Sequence, residues 1–391
     1  MGPGSPGRRF PPRGWCDPTL PRVDATEVRH TLRSVTAARM AELVRIQARA
    51  CAALGSPLYA ALLDRVADDV LADGPAAAVL AGHEEDAGPS ALALRLMGSV
   101  HQLVLAGQAP DLAAHYPSAG GDGDAAAAWP ALRHLFQSDP LEVSAGLAHA
   151  PQTNEVGRSA ALLGALAILN ADDPKPVRLW EIGCSGGLNL RADHFRYRSS
   201  DGSVWGLLSP VELDPAWSNR PTDAPVPVRI AERVGGDLNP IDPTTDEGAR
   251  VLTSFVWPDQ ADRLRRLRGA ILVAREYPAR LVRAGAADFL ADLTVSDGSL
   301  TVLWHSVMWQ YMPDQEQRRV LARLDEIGAT ATDSAPFAHL AFEPRRLAPD
   351  GQHRFVIVVR AWPGGEERII GEAPPHGTPV TWGTPSDQPR S

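Results

Sequence analysis

The sequence predicts an all-helical region followed by an α/β unit with a mostly parallel sheet, and three observations lead there. Apolar residues recur at helical spacing through the first third of the chain. Strand-like runs then alternate with helical stretches, and the first of these runs ends in a glycine-rich turn.

The helical region spans residues 26–150. From Thr26 to about Leu54, residues Val28, Leu32, Val35, Ala38, Met40, Leu43, Val44 and Ile46 recur at three- and four-residue steps. Ser56-Pro57 opens a second helix, with Leu58, Ala61, Leu62, Val66 and Val70 on one stripe, and Asp73-Gly74 stops it. Ser90 caps a third, which runs through Leu92, Leu96, Val100, Leu103 and Val104 to Gly107. A Gly/Asp/Ala-rich loop at 118–128 precedes a short helix that starts at Trp129-Pro130. No strand-like run interrupts this region.

From residue 151 to about 375 the pattern differs. Glu155 to Ile168 is helical, and Val177–Ile182 is a strand that runs straight into glycines. Further strand-like runs fall at 280–283, 300–304, 338–342 and 355–361, with helical stretches at 246–256, 259–274, 286–293 and 314–328 between most of them. Such alternation calls for a parallel sheet covered on both faces. Residues 353–362 and 366–373 flank Pro363-Gly364-Gly365 and form a hairpin, which places an antiparallel strand at the sheet edge. Residues 1–25 and 376–391 are expected to be tails.

A chain of 391 residues implies about two domains. Its net charge of −9 argues against general affinity for nucleic acid or an anionic membrane surface. The arginines of Arg263-Leu264-Arg265-Arg266-Leu267-Arg268 are expected on a solvated helix face. Cys16, Cys51 and Cys184 are too scattered for a metal pattern or a disulfide framework, so no metal is expected and a reducing cytoplasm fits. No run of about 18 apolar residues suggests a membrane span, and Met1 to Pro21 lacks the apolar segment of a secretory signal. The sequence does not indicate an oligomeric state.

The loop Glu181-Ile182-Gly183-Cys184-Ser185-Gly186-Gly187 carries the functional argument. In doubly wound sheets the ligand lies beyond the carboxyl ends of the strands, beside the first one. Glycines there let the backbone turn sharply and approach a ligand closely. Glu181 can orient the loop or meet a ligand's amino group, and Asn189 comes next in Leu188-Asn189-Leu190. The dinucleotide version of this loop opens a long helix and carries an acid about 20 residues later. That position is Asp201, within the hairpin-tip sequence Ser200-Asp201-Gly202, which weakens a nicotinamide reading. The spacing acidic–x–Gly–x–small–x–Gly instead fits a Rossmann-like, class I methyltransferase-type domain. S-adenosylmethionine would then rest on Glu181, Gly183, Cys184, Ser185, Gly186, Gly187 and Asn189.

Five blocks extend the comparison: Pro151–Arg158, Glu181–Leu190, Gly236–Pro240, Phe255–Gln260 and Trp304–Tyr311. Together they resemble the bacterial domain-of-unknown-function family 2332 over nearly the whole chain after the first tail. The resemblance implies a class I methyltransferase-like sheet and carries no activity with it. The general methyltransferase scheme puts an acid at the end of the second strand, on the ribose hydroxyls. Asp237 is the candidate, with Glu212 and Asp214 as rivals and an Asx-type turn before Asn239-Pro240 as the structural alternative. This requires residues 191–228 to be an insertion, consistent with the alternation from Tyr197 to Trp205 and the proline-rich stretch from Pro210 to Pro227. Asp288 would lie near the adenine amino group, or simply at a helix start favoured by the dipole. Too little chain lies between Phe342 and His353 for the helix that usually comes after the fifth strand, so the fold should be atypical there.

For the chemistry, His305 stands just past a central strand as a candidate proton acceptor. Trp309, Gln310 and Tyr311 either line a substrate pocket or pack beneath the turn. Asn154, Glu155 and Arg158 either face the same end of the sheet or form an i, i+3 surface pair. The leading expectation is an S-adenosylmethionine-dependent methyltransferase for a small-molecule acceptor, with the helical region as a cap over its pocket. The alternatives are a non-catalytic or regulatory protein that binds a nucleoside-type ligand, and a nicotinamide-dependent oxidoreductase.

Overall fold

The computed structural model describes residues 25–86, 91–148, 151–348 and 351–383. The cap expected at Ser90 and the tail segments 1–24 and 384–391 lie outside the described residues.

Among the described residues, seven α-helices form the first region: α1 (Ala25–Ala53), α2 (Pro57–Leu71), α3 (Pro75–Val79), α4 (Leu92–Leu105), α5 (Pro110–Ala113), α6 (Ala125–Ser138) and α7 (Pro140–Ala145). At the start of α2 the Ser56 hydroxyl accepts the Tyr59 N–H and Pro57 takes the first helical position, as Ser-Pro implies. Leu62, Leu63 and Val66 of α2 meet Leu96, Met97 and Val100 of α4 in a core completed by Leu132 and Phe136. The helix expected at Trp129-Pro130 begins earlier. The Asp124 carboxylate caps Ala126 and Ala127, and the adjoining alanines are strong helix formers, so α6 starts at Ala125 with Pro130 inside it.

The second region is the α/β unit. Helix α8 (Ser159–Leu169) is apolar on nearly every side and is buried as such. Strand β1 (Val177–Ile182) comes after it. The insertion expected at 191–228 contains β2 (Arg196–Ser199), β3 (Val204–Trp205) and β4 (Glu212–Trp217), a separate three-stranded sheet. Then come β5 (Ile230–Asp237), α9 (Asp246–Ser254), α10 (Ala261–Glu276), β6 (Arg280–Arg283), α11 (Ala286–Phe289), β7 (Leu300–Ser306), α12 (Asp314–Gly328) and β8 (Phe337–Arg346). The described residues close with β9 (His353–Trp362), β10 (Glu366–Glu372) and β11 (Thr381–Trp382).

The large sheet has the order β11-β10-β9-β8-β7-β1-β5-β6. Strands β6, β5, β1, β7 and β8 run parallel to one another. Three antiparallel strands complete it, where the sequence suggested one, because β8 turns back into β9 without a crossover helix. The short 342–353 interval leaves no room for that helix. The sheet also continues past residue 375: β11 pairs with β10, and Trp382 packs against Gly164.

Side chains alternate across each strand, which decides who meets whom. Val177, Leu179, Val302 and Trp304 face the core shared with α8 and α10. Trp180, Ile182 and Leu303 face the opposite core, with Phe289, Leu290 and Leu324. The two regions join through the segment 255–260. Trp257 inserts into the helical core, and Asp259 accepts hydrogen bonds from the Ser56 hydroxyl at 2.5 Å and the Leu58 N–H at 2.9 Å. Gln260 donates to the Leu54 carbonyl at 2.7 Å.

Candidate functional site at the carboxyl edge of the sheet

The glycine loop leaves β1 through an unusual run of backbone conformations. Gly183, Ser185 and Gly187 have φ of +66°, +52° and +61°. Two are glycine, for which this region carries no Cβ penalty, whereas Ser185 is held there against a cost of roughly 1–3 kcal/mol. Its N–H donates to Asp237 Oδ2 at 2.9 Å, and its carbonyl accepts the Ile241 N–H at 3.1 Å. The loop leads not into a long helix but into a 3-10 segment, Leu188–His194, broken at Arg191. Asn154 Oδ1 accepts the Leu188 N–H at 2.9 Å, and Asn189 Oδ1 accepts the Ser159 hydroxyl at 2.7 Å. The Cys184 thiol is buried, and burial pushes its pKa well up.

Packing as well as φ constrains Gly187. A Cβ there would lie 2.7 Å from Leu281 Cδ2 and 3.0 Å from Leu190 Cδ1. Gly187→Ala should therefore lower unfolding free energy by about 2–4 kcal/mol, combining left-handed backbone strain with overpacking. Gly202→Ala, at φ +83° with nothing nearby, should lose only about 1–2 kcal/mol. Urea midpoints measure both, and equal losses would mean that the loop is loosely packed.

Glu181 closes β1, paired in register with Gly235 on one side and Trp304 on the other. It is 2% exposed, and among the described residues its Oε2 completes no hydrogen bond, although the unpaired Trp304 indole N–H is near enough to favour the carboxylate. Burial pushes its pKa up to about 8, with Arg191 opposing the rise and Asp237 adding to it. Arg191 is itself buried and donates to the carbonyls of Gly187 at 2.6 Å and Tyr277 at 2.9 Å, clamping the far end of the loop. Asp237 ends β5, the strand beside β1, and its Oδ1 accepts the Asn239 N–H at 2.8 Å. One carboxylate thus makes the Asx turn and also holds the glycine loop. The rivals Glu212 and Asp214 lie on β4 in the separate sheet, ion-paired with Arg198. Asp201 occupies the β2–β3 turn and accepts the Ser203 N–H at 3.0 Å.

The neighbouring loop, after β7, is also strained. Val307 has φ +51°, rare for a β-branched residue, and Met308 packs onto Gly183. His305 is 2% exposed and lies on the face opposite Glu181, next to Leu303 in the alternation. Its Nδ1 is 2.8 Å from Glu343 Oε1, its Nε2 is 3.0 Å from His339 Nε2, and Trp309 stacks over it at 5.1 Å. Glu343 Oε1 also accepts the N–H groups of Met308 at 3.0 Å and Trp309 at 3.3 Å, so it ties the β7 loop to β8. Burial and neighbouring His305 hold the His339 pKa well down, so His339 is neutral. Glu343, an acceptor, takes the His305 Nδ1–H, and one proton lies between the two Nε2 atoms. His339 and Glu343 were not anticipated. Their signal is the period-2 spacing of His339, Ala341 and Glu343 along β8.

The remaining candidates divide. Glu155 is buried in an ion pair with Arg263 Nε at 2.5 Å and caps the Gly157 N–H at 3.0 Å, so it forms no surface pair with Arg158. Arg158 donates to the carbonyls of Pro375 at 3.3 Å and Ser306 at 3.2 Å, which brings it to the β7 loop. Trp309 covers His305, whereas Gln310 and Tyr311 are exposed. Asp288 is exposed and paired with Arg319. The start of α11 is served instead by Glu316 Oε1, which accepts the Ala287 N–H at 2.8 Å. Two surface clefts of ≈480 Å³ each lie away from the loop. Among the described residues, no group of three or more His, Cys, Asp or Glu could hold a metal ion, and no helix is long and apolar enough to cross a membrane.

Strands β5 and β6 lie to one side of β1, and β7 and β8 to the other, so the order reverses beside the glycine loop. Fold and loop together define a doubly wound α/β sheet with the glycine loop at its switch point, the place where ligands of such sheets generally bind. The chain belongs to the uncharacterized bacterial family DUF2332, whose model matches residues 41–382. No curated protein and no solved structure matches it.

Proposed function

We propose that the protein is an S-adenosylmethionine-dependent methyltransferase acting on a small molecule. The observation that carries this reading is the buried, unpartnered Oε2 of Glu181 beside the left-handed glycine loop. A buried acceptor without a partner leaves about 1–3 kcal/mol unrecovered, and an ammonium group on the ligand would satisfy it. S-adenosylmethionine carries such a group together with an electrophilic methyl. In this reading Gly183 and Gly187 shape the loop that meets the ligand, Asp237 and Asp288 are the acids for ribose and adenine, and Asn154, Arg158, Trp309, Gln310 and Tyr311 border the acceptor. His305 is the proton acceptor, oriented by Glu343, and the Ser306–Trp309 turn must open for it to act. The broken 3-10 segment after the loop, in place of a long helix, disfavours the nicotinamide reading.

Calorimetry with S-adenosylhomocysteine tests the proposal. Glu181 is mostly protonated at pH 7 when its pKa is about 8, so pairing with an ammonium group expels a proton. Heats measured in buffers of different ionisation enthalpy should reveal about one proton released per ligand. No heat at millimolar ligand would reject the cofactor. A second reading, a non-catalytic protein binding the same ligand, draws on both His305 nitrogens already being engaged. Binding without turnover on any acceptor, unaltered by His305→Asn, would favour it.

A further inference from the structure

The arginine run on α10 is not one solvated face. Arg265 and Arg268 are exposed, but Arg263 is buried and Arg266 half-buried. A three-residue step puts Arg263 and Arg266 on the same side of the helix. That side packs against the turn holding Glu155 and Arg158. Glu155 is taken by Arg263, whose guanidinium also lies 5.6 Å from the centre of the Trp257 ring. Arg266 makes no hydrogen bond or ion pair among the described residues, and its Nε is fully buried. Arg158 spends two donors on carbonyl oxygens, which carry no net charge. His376 adjoins the group, and burial with nearby Arg263 brings its pKa down to about 4, so it is neutral at pH 7. Three guanidiniums therefore share the field of Glu155, but only Arg263 is ion-paired with it, and Arg158 also feels Glu343. Arg158 and Arg266 are half-buried cations without a carboxylate of their own, and the buried Arg266 Nε–H is left unsatisfied unless an acceptor arrives.

We infer that Arg158 and Arg266 hold an anionic group, a carboxylate or a phosphate, of the molecule on which the protein acts. Guanidinium forks suit planar or tetrahedral oxyanions because each can offer two parallel N–H groups. The location fits a reacting partner. Arg158 touches Ser306 at the end of β7, and the same guanidinium acts on Glu181 at the end of β1. Assigning the anion to the methyl acceptor rests on the function proposed above, but the anion site itself does not.

The test is titration of the full chain with sodium phosphate and with sodium succinate, at ionic strength held constant with chloride, monitored by thermal shift and calorimetry. Each titration is repeated in saturating S-adenosylhomocysteine. The expected result is binding of at least one anion that survives the second ligand. Arg266→Gln should weaken it at least tenfold and leave S-adenosylhomocysteine affinity within twofold. Arg266→Lys, which keeps the charge and loses the fork, should fall between, and it serves as the readout if the glutamine variant does not fold. No response beyond chloride, unchanged affinity in the Arg266 variants, or displacement of the anion by S-adenosylhomocysteine would overturn the site. Anion binding without any S-adenosylhomocysteine binding would sustain this site while sinking the cofactor reading.

Discussion

Glu181→Gln is expected to make the protein more stable at pH 8 while reducing S-adenosylhomocysteine affinity at least tenfold. A carboxyl whose folded pKa is about 8 and whose ordinary value is 4.5 binds an extra proton in the folded state between those limits. Its stability contribution is therefore full below pH 4.5 and lost as pH rises through about 8. The gap amounts to on the order of 5 kcal/mol across that window. Glutamine cannot ionise, so this pH slope disappears in the variant, and urea midpoints at pH 5 and pH 8.5 measure the difference. A wild-type protein equally stable at both values, relative to the variant, would show that Glu181 is not held protonated. Gain of stability with loss of binding is the pattern of a group kept for a ligand rather than for folding.

Glu155 should behave in the opposite way. Burial alone would raise its pKa, but Arg263, together with the other cationic neighbours, holds it down to about 2. Its contribution is thus present above pH 4.5 and lost as pH falls through about 2. Glu155→Gln leaves the buried Arg263 guanidinium without its counter-charge and should lower unfolding free energy by roughly 3–5 kcal/mol. Combining it with Arg263→Met should recover most of that loss, since removing the guanidinium leaves no stranded charge in the core. Denaturant unfolding of the two single variants and the double variant decides the matter. A double variant as unstable as the single one would mean that the 155–158 turn, and not the ion pair, carries the energy.

Much of the architecture was legible because it depends on local periodicity. Ser56-Pro57, the stripe on α2, the all-apolar α8 and the glycines after β1 declare themselves in short windows, and so does the hairpin around Pro363-Gly364-Gly365. The insertion between β1 and β5 was visible as interrupted alternation, and placing it there brought Asp237 beside the loop. The early start of α6 was missed because a single Asp cap and a run of alanines outweighed the Trp-Pro signal. Helical spacing alone also left the arginines of α10 undivided, since it cannot tell which side of a helix another element will cover.

The sequence determined by itself the order of elements, the parallel character of the central sheet and the loop where a ligand can approach. These come from residue-level preferences for helix, strand and turn, read over a few neighbours. Only the tertiary structure decided the partners. It placed Glu181 and His305 on opposite faces of the sheet, gave His305 to Glu343 and His339, and gave Glu155 to Arg263, 108 residues away. Among the described residues, it also left the Arg266 Nε and the Glu181 Oε2 without hydrogen-bond partners. Pairings of this kind depend on strand register and on which helix covers which face, and the free energy of a buried charge depends on those contacts rather than on the residue that bears it.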